Sequence, residues 1–421
     1  MKVINTFIGP NGREHVQREH GEDCWSTMFA DKKDLRLVFS LGLTQTLAWA
    51  SSYYLPAVLA RPMADGLGYP VSTVYAAFSV ALVIAAVTAP FAGRCIDTWG
   101  GKLVLAASNV WFALSLFFLS HAGSARSLFL GWASLGFAMG AGLYDMAFAA
   151  VVRSRGPAST SIIAGITLLA GFASTVGWPV SHYLLSNHGW RQVLITWAGV
   201  HLLLALPLNL SLVLPMRPDR SQSQGADADS SHEAGKSKNA AKLVLALAFA
   251  FIGFCAGAMA SHMPGLLQLF GVSAAASILA GMAFGPAQVS ARLLYLFVLR
   301  TVPPITTAIL AALIIPFGAV LFIMSGPEAA TLVSVTHGFG HGVMSILKGT
   351  LPLSIFGEKG YGRRQGVLFL PAGIAQALSP FLFSVCIDTL GREALYVYIF
   401  AIWITVLLFL WLKQLVHCSK K

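Results

Sequence analysis

The sequence predicts an all-α polytopic membrane protein, with twelve transmembrane helices in two six-helix bundles that repeat each other. Three observations predict it. Hydrophobic residues make up 56% of the 421 and charged residues only 11%, less than half the share of about 25% found in soluble chains. Twelve apolar stretches each approach the ~20 residues that a bilayer-spanning helix needs. One long polar break divides those stretches six and six. A soluble fold of this size would expose large apolar patches, and the low charge equally excludes a disordered chain.

The elements follow in chain order. Residues 1–34 are polar and mixed in charge. They lack the apolar core of a signal peptide, so the first apolar stretch is expected to remain as a membrane helix. The first bundle, 35–214, holds apolar stretches at 35–59, 72–93, 102–121, 127–150, 160–184 and 190–214. The break at 215–241 is rich in Ser, Asp, Ala and Gly and reads as a flexible cytoplasmic linker. The second bundle, 242–414, holds stretches at 242–268, 274–298, 304–324, 329–354, 365–387 and 394–413, and residues 415–421 form a short tail.

The net charge of +11 comes from 28 basic and 17 acidic residues. In a soluble protein that excess points to nucleic acid. Here the basic residues mostly lie between apolar runs, where cytoplasmic loops collect Lys and Arg, so no nucleic-acid partner is expected. With the amino terminus inside, inward loops carry 13 basic residues and outward loops 4. Both termini are therefore expected in the cytoplasm. A cysteine placed at Ser223 in the linker should then react with an impermeant thiol reagent only from the cytoplasmic side. Labelling in intact cells would overturn the orientation. The five cysteines, Cys24, Cys95, Cys255, Cys386 and Cys418, form no CxxC pair and suggest neither a disulfide framework nor a zinc site.

The halves share a pattern. At an offset of 202, Gly136, Phe137 and Gly140 fall on Gly338, Phe339 and Gly342, while Gly171 and Gly189 fall on Gly373 and Gly391. Near that offset Pro179 matches Pro380 and Arg191 matches Arg392. In the first helix of each half, Tyr54 and Pro56 match His262 and Pro264.

The loop after the second stretch reads Gly93-Arg94-Cys95-Ile96-Asp97-Thr98-Trp99-Gly100-Gly101-Lys102. It resembles the G-x-x-x-D-R-x-G-R-R signature of the major facilitator superfamily, with Gly93, Asp97, Gly100 and Lys102 in place and Thr98 and Gly101 where basic residues are usual. Those four residues are expected to form a conformational gate. Gly93 is expected to let helices approach closely, Asp97 to cap a helix or pair with a cation, and Gly100 to permit a tight turn. Gln45 to Tyr54 in the first stretch, Arg153-Ser154-Arg155 before the fifth, and Gly285 to Arg292 in the eighth resemble bacterial relatives of the monocarboxylate porters, a resemblance that implies a bacterial inner membrane. That family carries an Asp four residues before the Arg of the eighth helix. Gln288 stands there instead, which removes the acid that would carry the proton.

Asp145, Arg292 and Lys348 are the formal charges well inside the stretches. Such groups are costly in a bilayer and mark functional sites. Counted from the nearest loops, all three lie roughly 12–15 Å inside the cytoplasmic helix ends, so one layer can hold them. The resemblance implies that helices one, four, seven and ten line a central cavity. Two cations and one acid would make it attract anions, with Arg292 gripping an oxyanion through its planar fork. Asp145 either binds a coupling proton or locks a gate by pairing with Lys102 or Arg94. His337 and His341, four apart, have metal-ligand spacing but no carboxylate nearby, so no metal is expected. His341 and His262 are cavity candidates for proton or hydrogen-bond roles, His262 the better placed of His262 and His337. Gln45, Trp49 and Tyr54 are candidates to orient a substrate, and Gln288 shares the face of Arg292.

These features read as a secondary active transporter of a small organic solute, preferably an anion, coupled to protons, and not as an enzyme. No G-x-x-x-x-G-K-[ST] occurs, so ATP drive is not expected. No cofactor is expected. The expected partners are the solute, protons and the bilayer, and the chain is expected to act as a monomer. Efflux of drugs or trivalent arsenicals, and a transport-like membrane sensor, stay open as alternatives.

Overall fold

A computed structural model describes residues 7–8, 14–15, 32–155, 159–214, 232–356 and 361–418. Apart from a two-residue ribbon pairing Phe7–Ile8 with Glu14–His15, the described chain is helical. The helices are α1 (Lys32–Ala50), α2 (Pro56–Leu67), α3 (Val71–Trp99), α4 (Gly101–Ser120), α5 (Ala125–Gly142), α6 (Tyr144–Arg155), α7 (Ser159–Ala170) and α8 (Ala173–Val200). A π-helical turn, His201–Ala205, leads into α9 (Leu206–Leu210). The second half holds α10 (His232–Gln268), α11 (Ala274–Met282), α12 (Phe284–Phe297), α13 (Pro304–Ser325), α14 (Ala330–Phe356), α15 (Tyr361–Leu390) and α16 (Ala394–Cys418).

Eight stretches among the described residues are long and apolar enough to cross a membrane. Two of them, Ile162–Leu210 and Leu368–His417, have 49 and 50 residues. At ~1.5 Å per residue each is long enough to cross twice. They turn at Gly189 (φ 78°) and Gly391 (φ 59°), positions that a side chain rarely tolerates. The two remaining rods are α1–α2, interrupted at 51–55, and α14, made less apolar by His337, His341 and Lys348. Twelve rods result. The linker differs from expectation: α10 begins at His232, inside it, because Glu233-Ala234 and Asn239-Ala240-Ala241-Lys242 include good helix formers. Residues 215–231, including Ser223, lie outside the described residues.

The repeat reaches the level of packing. Gly136 and Gly140 of α5 lie on Ala81, Ala85 and Thr88 of α3, and a Cβ on either glycine would collide with α3 backbone. Gly338 and Gly342 of α14 lie in the same way on Phe284, Gln288 and Ala291 of α12. Small residues let these backbones approach, which is how membrane helices gain packing without hydrophobic drive.

Four rods break near mid-depth. The breaks fall at 51–55, at Leu143 (ψ −170°), at 171–172 and at Ala283. Helices α6 and α7 have 12 residues each and α12 has 14, so the last three breaks lie about 18–21 Å from the end of the bundle holding the 99–101 turn. Arg155 Nε and Asp34 Oδ1, 2.8 Å apart, pin α6 and α1 at that end.

The gate motif departs from expectation in one respect. A Cβ on Gly93 would meet nothing within 4 Å, so no helix approaches there. The close approach is at Gly101, which packs directly on Ala150 of α6. Gly101→Leu is expected to destabilise the protein by about 1–3 kcal/mol through overpacking. Gly93→Ala should leave thermal unfolding in detergent unchanged or slightly improved, since alanine favours helix. Equal melting losses in the two variants would refute this assignment.

Candidate functional site

Two stripes face each other in the second half. On α12, Phe284, Gln288 and Arg292 recur every four residues; on α14, His337, His341, Ser345 and Lys348 recur at four, four and three. That spacing places each set on one helix face. The first half brings Trp49 and Tyr54 from the edge of the first break, and Tyr144, Asp145 and Phe148 from the start of α6.

The halves meet at one end. Helix α2 packs on α10, α3 on α15, and α8 on α11 and α12. Hydrogen bonds follow these contacts: Tyr75 donates to the Ser261 carbonyl (3.0 Å), Gln376 to the Tyr53 hydroxyl (2.7 Å), the Phe381 amide to Ser79 (3.3 Å) and Thr175 to the Met282 carbonyl (2.9 Å). All lie at the breaks or on their side away from the 99–101 turn. On the near side Asp145 is exposed, although Met146 and Ala147 beside it are buried. The exposed carboxylate shows that the halves part on this side, leaving Asp145 open toward the end that holds the 99–101 turn.

Arg292 lies half-buried on α12, nine residues past the break at Ala283 and on the near side of it. Its Nε donates to Ser345 Oγ at 3.3 Å, and its Nη1 donates to the Thr167 carbonyl of the opposite half at 2.7 Å. The guanidinium also lies against the Tyr144 hydroxyl. These three partners are neutral. A guanidinium has five N–H donors, so donors remain for a ligand.

Asp145 interacts electrostatically with Lys348 across the two halves. This corrects the expected pairing with Lys102 or Arg94. Lys102 begins α4 next to Gly101, level with Ala150, more than a helical turn from Asp145. His341 lies within the fields of both Arg292 and Lys348. The three charges and His341 thus share one layer.

Aromatic rings connect these groups. Centroid separations are 4.9 Å for Trp49–Tyr144, 6.3 Å for Trp49–Tyr54, 6.4 Å for Tyr54–Phe284 and 6.2 Å for Phe284–His341. The belt therefore crosses from one half to the other. Tyr144, Phe148, Phe284, Ser345 and the Thr167 carbonyl were not among the expected site residues. The four-residue rhythm Phe284-Gln288-Arg292 was a readable signal for one of them. A backbone carbonyl such as that of Thr167 leaves no trace in the sequence.

Other expected residues lie elsewhere. His262 is 4% exposed and does not line the cavity. It packs on Tyr75 (3.9 Å between centroids) in the closed end, and its Nε2–H donates to the Pro380 carbonyl at 2.8 Å. Gln45 is buried and donates to the Gly142 carbonyl at 2.8 Å, satisfying an acceptor that the break at Leu143 leaves free. Gln288 is buried between Phe284 and Arg292, with Gly342 against its carbonyl. His337 pairs through Nδ1 with the Tyr398 hydroxyl at 2.7 Å. No group of three or more potential metal ligands occurs among the described residues. In the signature loop, Gly100 makes the turn with φ 87°, and the exposed Asp97 offers its backbone carbonyl to Arg153 at 3.5 Å.

Residues 41–369 match the family described as Major Facilitator Superfamily. No curated protein matches the sequence. Among solved structures, a point mutant of the nucleoside transporter NupG is similar, with a TM-score of 0.70 and 16% identity over 91% of this chain and 100% of that one. A bacterial homolog of the human lysosomal transporter Spinster, inward-facing and unoccupied, gives 0.64 and 15% over 93% and 99%. At such identities the likeness is one of fold.

Proposed function

Because the chain belongs to the major facilitator superfamily, a family of membrane transporters, we propose that it moves a small organic anion across the membrane by alternating access, coupled to protons. The observation that carries the anion is Arg292, a half-buried guanidinium in the layer of Asp145 and Lys348 whose hydrogen-bond partners are neutral. Such a group binds a carboxylate bidentately when one arrives. The resemblance to monocarboxylate porters points the same way.

The cycle follows from where the contacts lie. With contacts made at one end and the halves parted at the other, the solute enters from the end holding the 99–101 turn, the cytoplasmic end by the positive-inside rule. Rocking the halves about the broken helices closes that end and opens the opposite one. Asp145 and Lys348 lie on opposite halves on the open side, so their attraction favours closure. Protonating Asp145 removes that attraction, which couples a proton to the transition.

Flux in proteoliposomes tests this. Saturable uptake of an organic anion, accelerated by an imposed pH gradient, is expected. Transport confined to cations, or flux indifferent to the pH gradient, refutes the anion or the proton part respectively. Binding with no flux at all favours the sensor alternative.

A further inference from the structure

The belt and the charge balance together narrow the solute. Tyr144 stacks on Phe148 at 5.1 Å and 18°, and meets Trp49 at 4.9 Å. Tyr54 meets Phe284 edge to face at 6.4 Å, joining the halves. Tyr54, Tyr144 and His341 are half-buried, and Tyr144 adjoins the exposed Asp145, so these rings keep free faces and edges for a ligand. Tyr144 also touches the Arg292 guanidinium. A ligand anion held by Arg292 therefore has its remaining atoms against rings. Asp145 offsets Lys348, which leaves one positive charge, that of Arg292.

We infer that the solute is an aromatic monoanion, with its single carboxylate or similar oxyanion on Arg292 and its ring against the half-buried Tyr144 and Tyr54. This rests on the anion reading above. Ring–ring contacts add to affinity beyond the area they bury, roughly two- to tenfold for each pair. A saturated ring of the same size gains only the burial. A dianion would bring a second negative charge next to Asp145, with one uncompensated cation to receive two charges.

Affinities of the purified full-length protein for four probes test this: benzoate, cyclohexanecarboxylate, phthalate and the neutral benzamide. Benzoate is expected to bind about tenfold or more tightly than each of the others. Tyr144→Leu should reduce that preference over cyclohexanecarboxylate severalfold; Tyr54→Leu gives the same readout if the first variant does not fold. Cyclohexanecarboxylate binding as well as benzoate overturns the aromatic assignment and leaves the anion reading standing. Phthalate binding more tightly overturns the single charge. Benzamide binding as well as benzoate overturns the anion reading itself. Failure of all four to bind overturns the inference.

Discussion

Arg292→Ala is expected to abolish saturable transport of the anion. Removing one partner of a desolvated charge pair costs about 2–5 kcal/mol, and each ~1.4 kcal/mol is tenfold in affinity. A loss of about thirtyfold to several thousandfold follows. The same substitution removes the 2.7 Å bond to the Thr167 carbonyl that joins the halves, so a control is needed. Arg292→Lys supplies it. Lysine keeps the charge but not the planar fork, so it should weaken binding of a planar oxyanion about tenfold while thermal unfolding stays close to that of the parent. Normal transport by Arg292→Ala would falsify the anion site and make Arg292 a structural residue.

The second large effect is expected from Asp145→Asn. The change is nearly isosteric and removes both the negative charge and its attraction for Lys348. If Asp145 carries the coupling proton, concentrative uptake driven by a pH gradient disappears, whereas exchange of internal for external solute continues. If Asp145 only closes the open end, both fluxes survive and the balance of conformations shifts. Cysteine accessibility along α6 reports that shift. Measuring accumulation and exchange in one preparation separates the outcomes, and undiminished accumulation removes the proton role.

Helix count, the split into halves and the internal repeat were legible because they are local properties. Hydropathy over ~20 residues marks a span whatever it packs against. The matched glycines at Gly136/Gly338 and Gly140/Gly342 found matching contacts because a missing Cβ fixes close approach within each half. Gly189 and Gly391, matched at the same offset, both take positive φ at a turn, a conformation that favours glycine in any context. The depth of Asp145, Arg292 and Lys348 also followed from counting along helices, because helical rise is constant.

Partner choice was settled only in three dimensions. Asp145 faces Lys348 and not the signature loop, since the break at Leu143 and the packing of Gly101 on Ala150 set where α6 begins and what lies beside it. His262, matched to Tyr54 by the repeat, became part of the closed end because the halves touch there and part elsewhere. Gln45 was drawn to a carbonyl that exists as a free acceptor only because α5 stops. The belt from Trp49 to His341 spans both halves, so its continuity depends on how two rigid bundles dock. Periodicity in a sequence tells which face of a helix is polar or apolar. Which faces meet depends on where the helices break and on the state in which the two bundles lie.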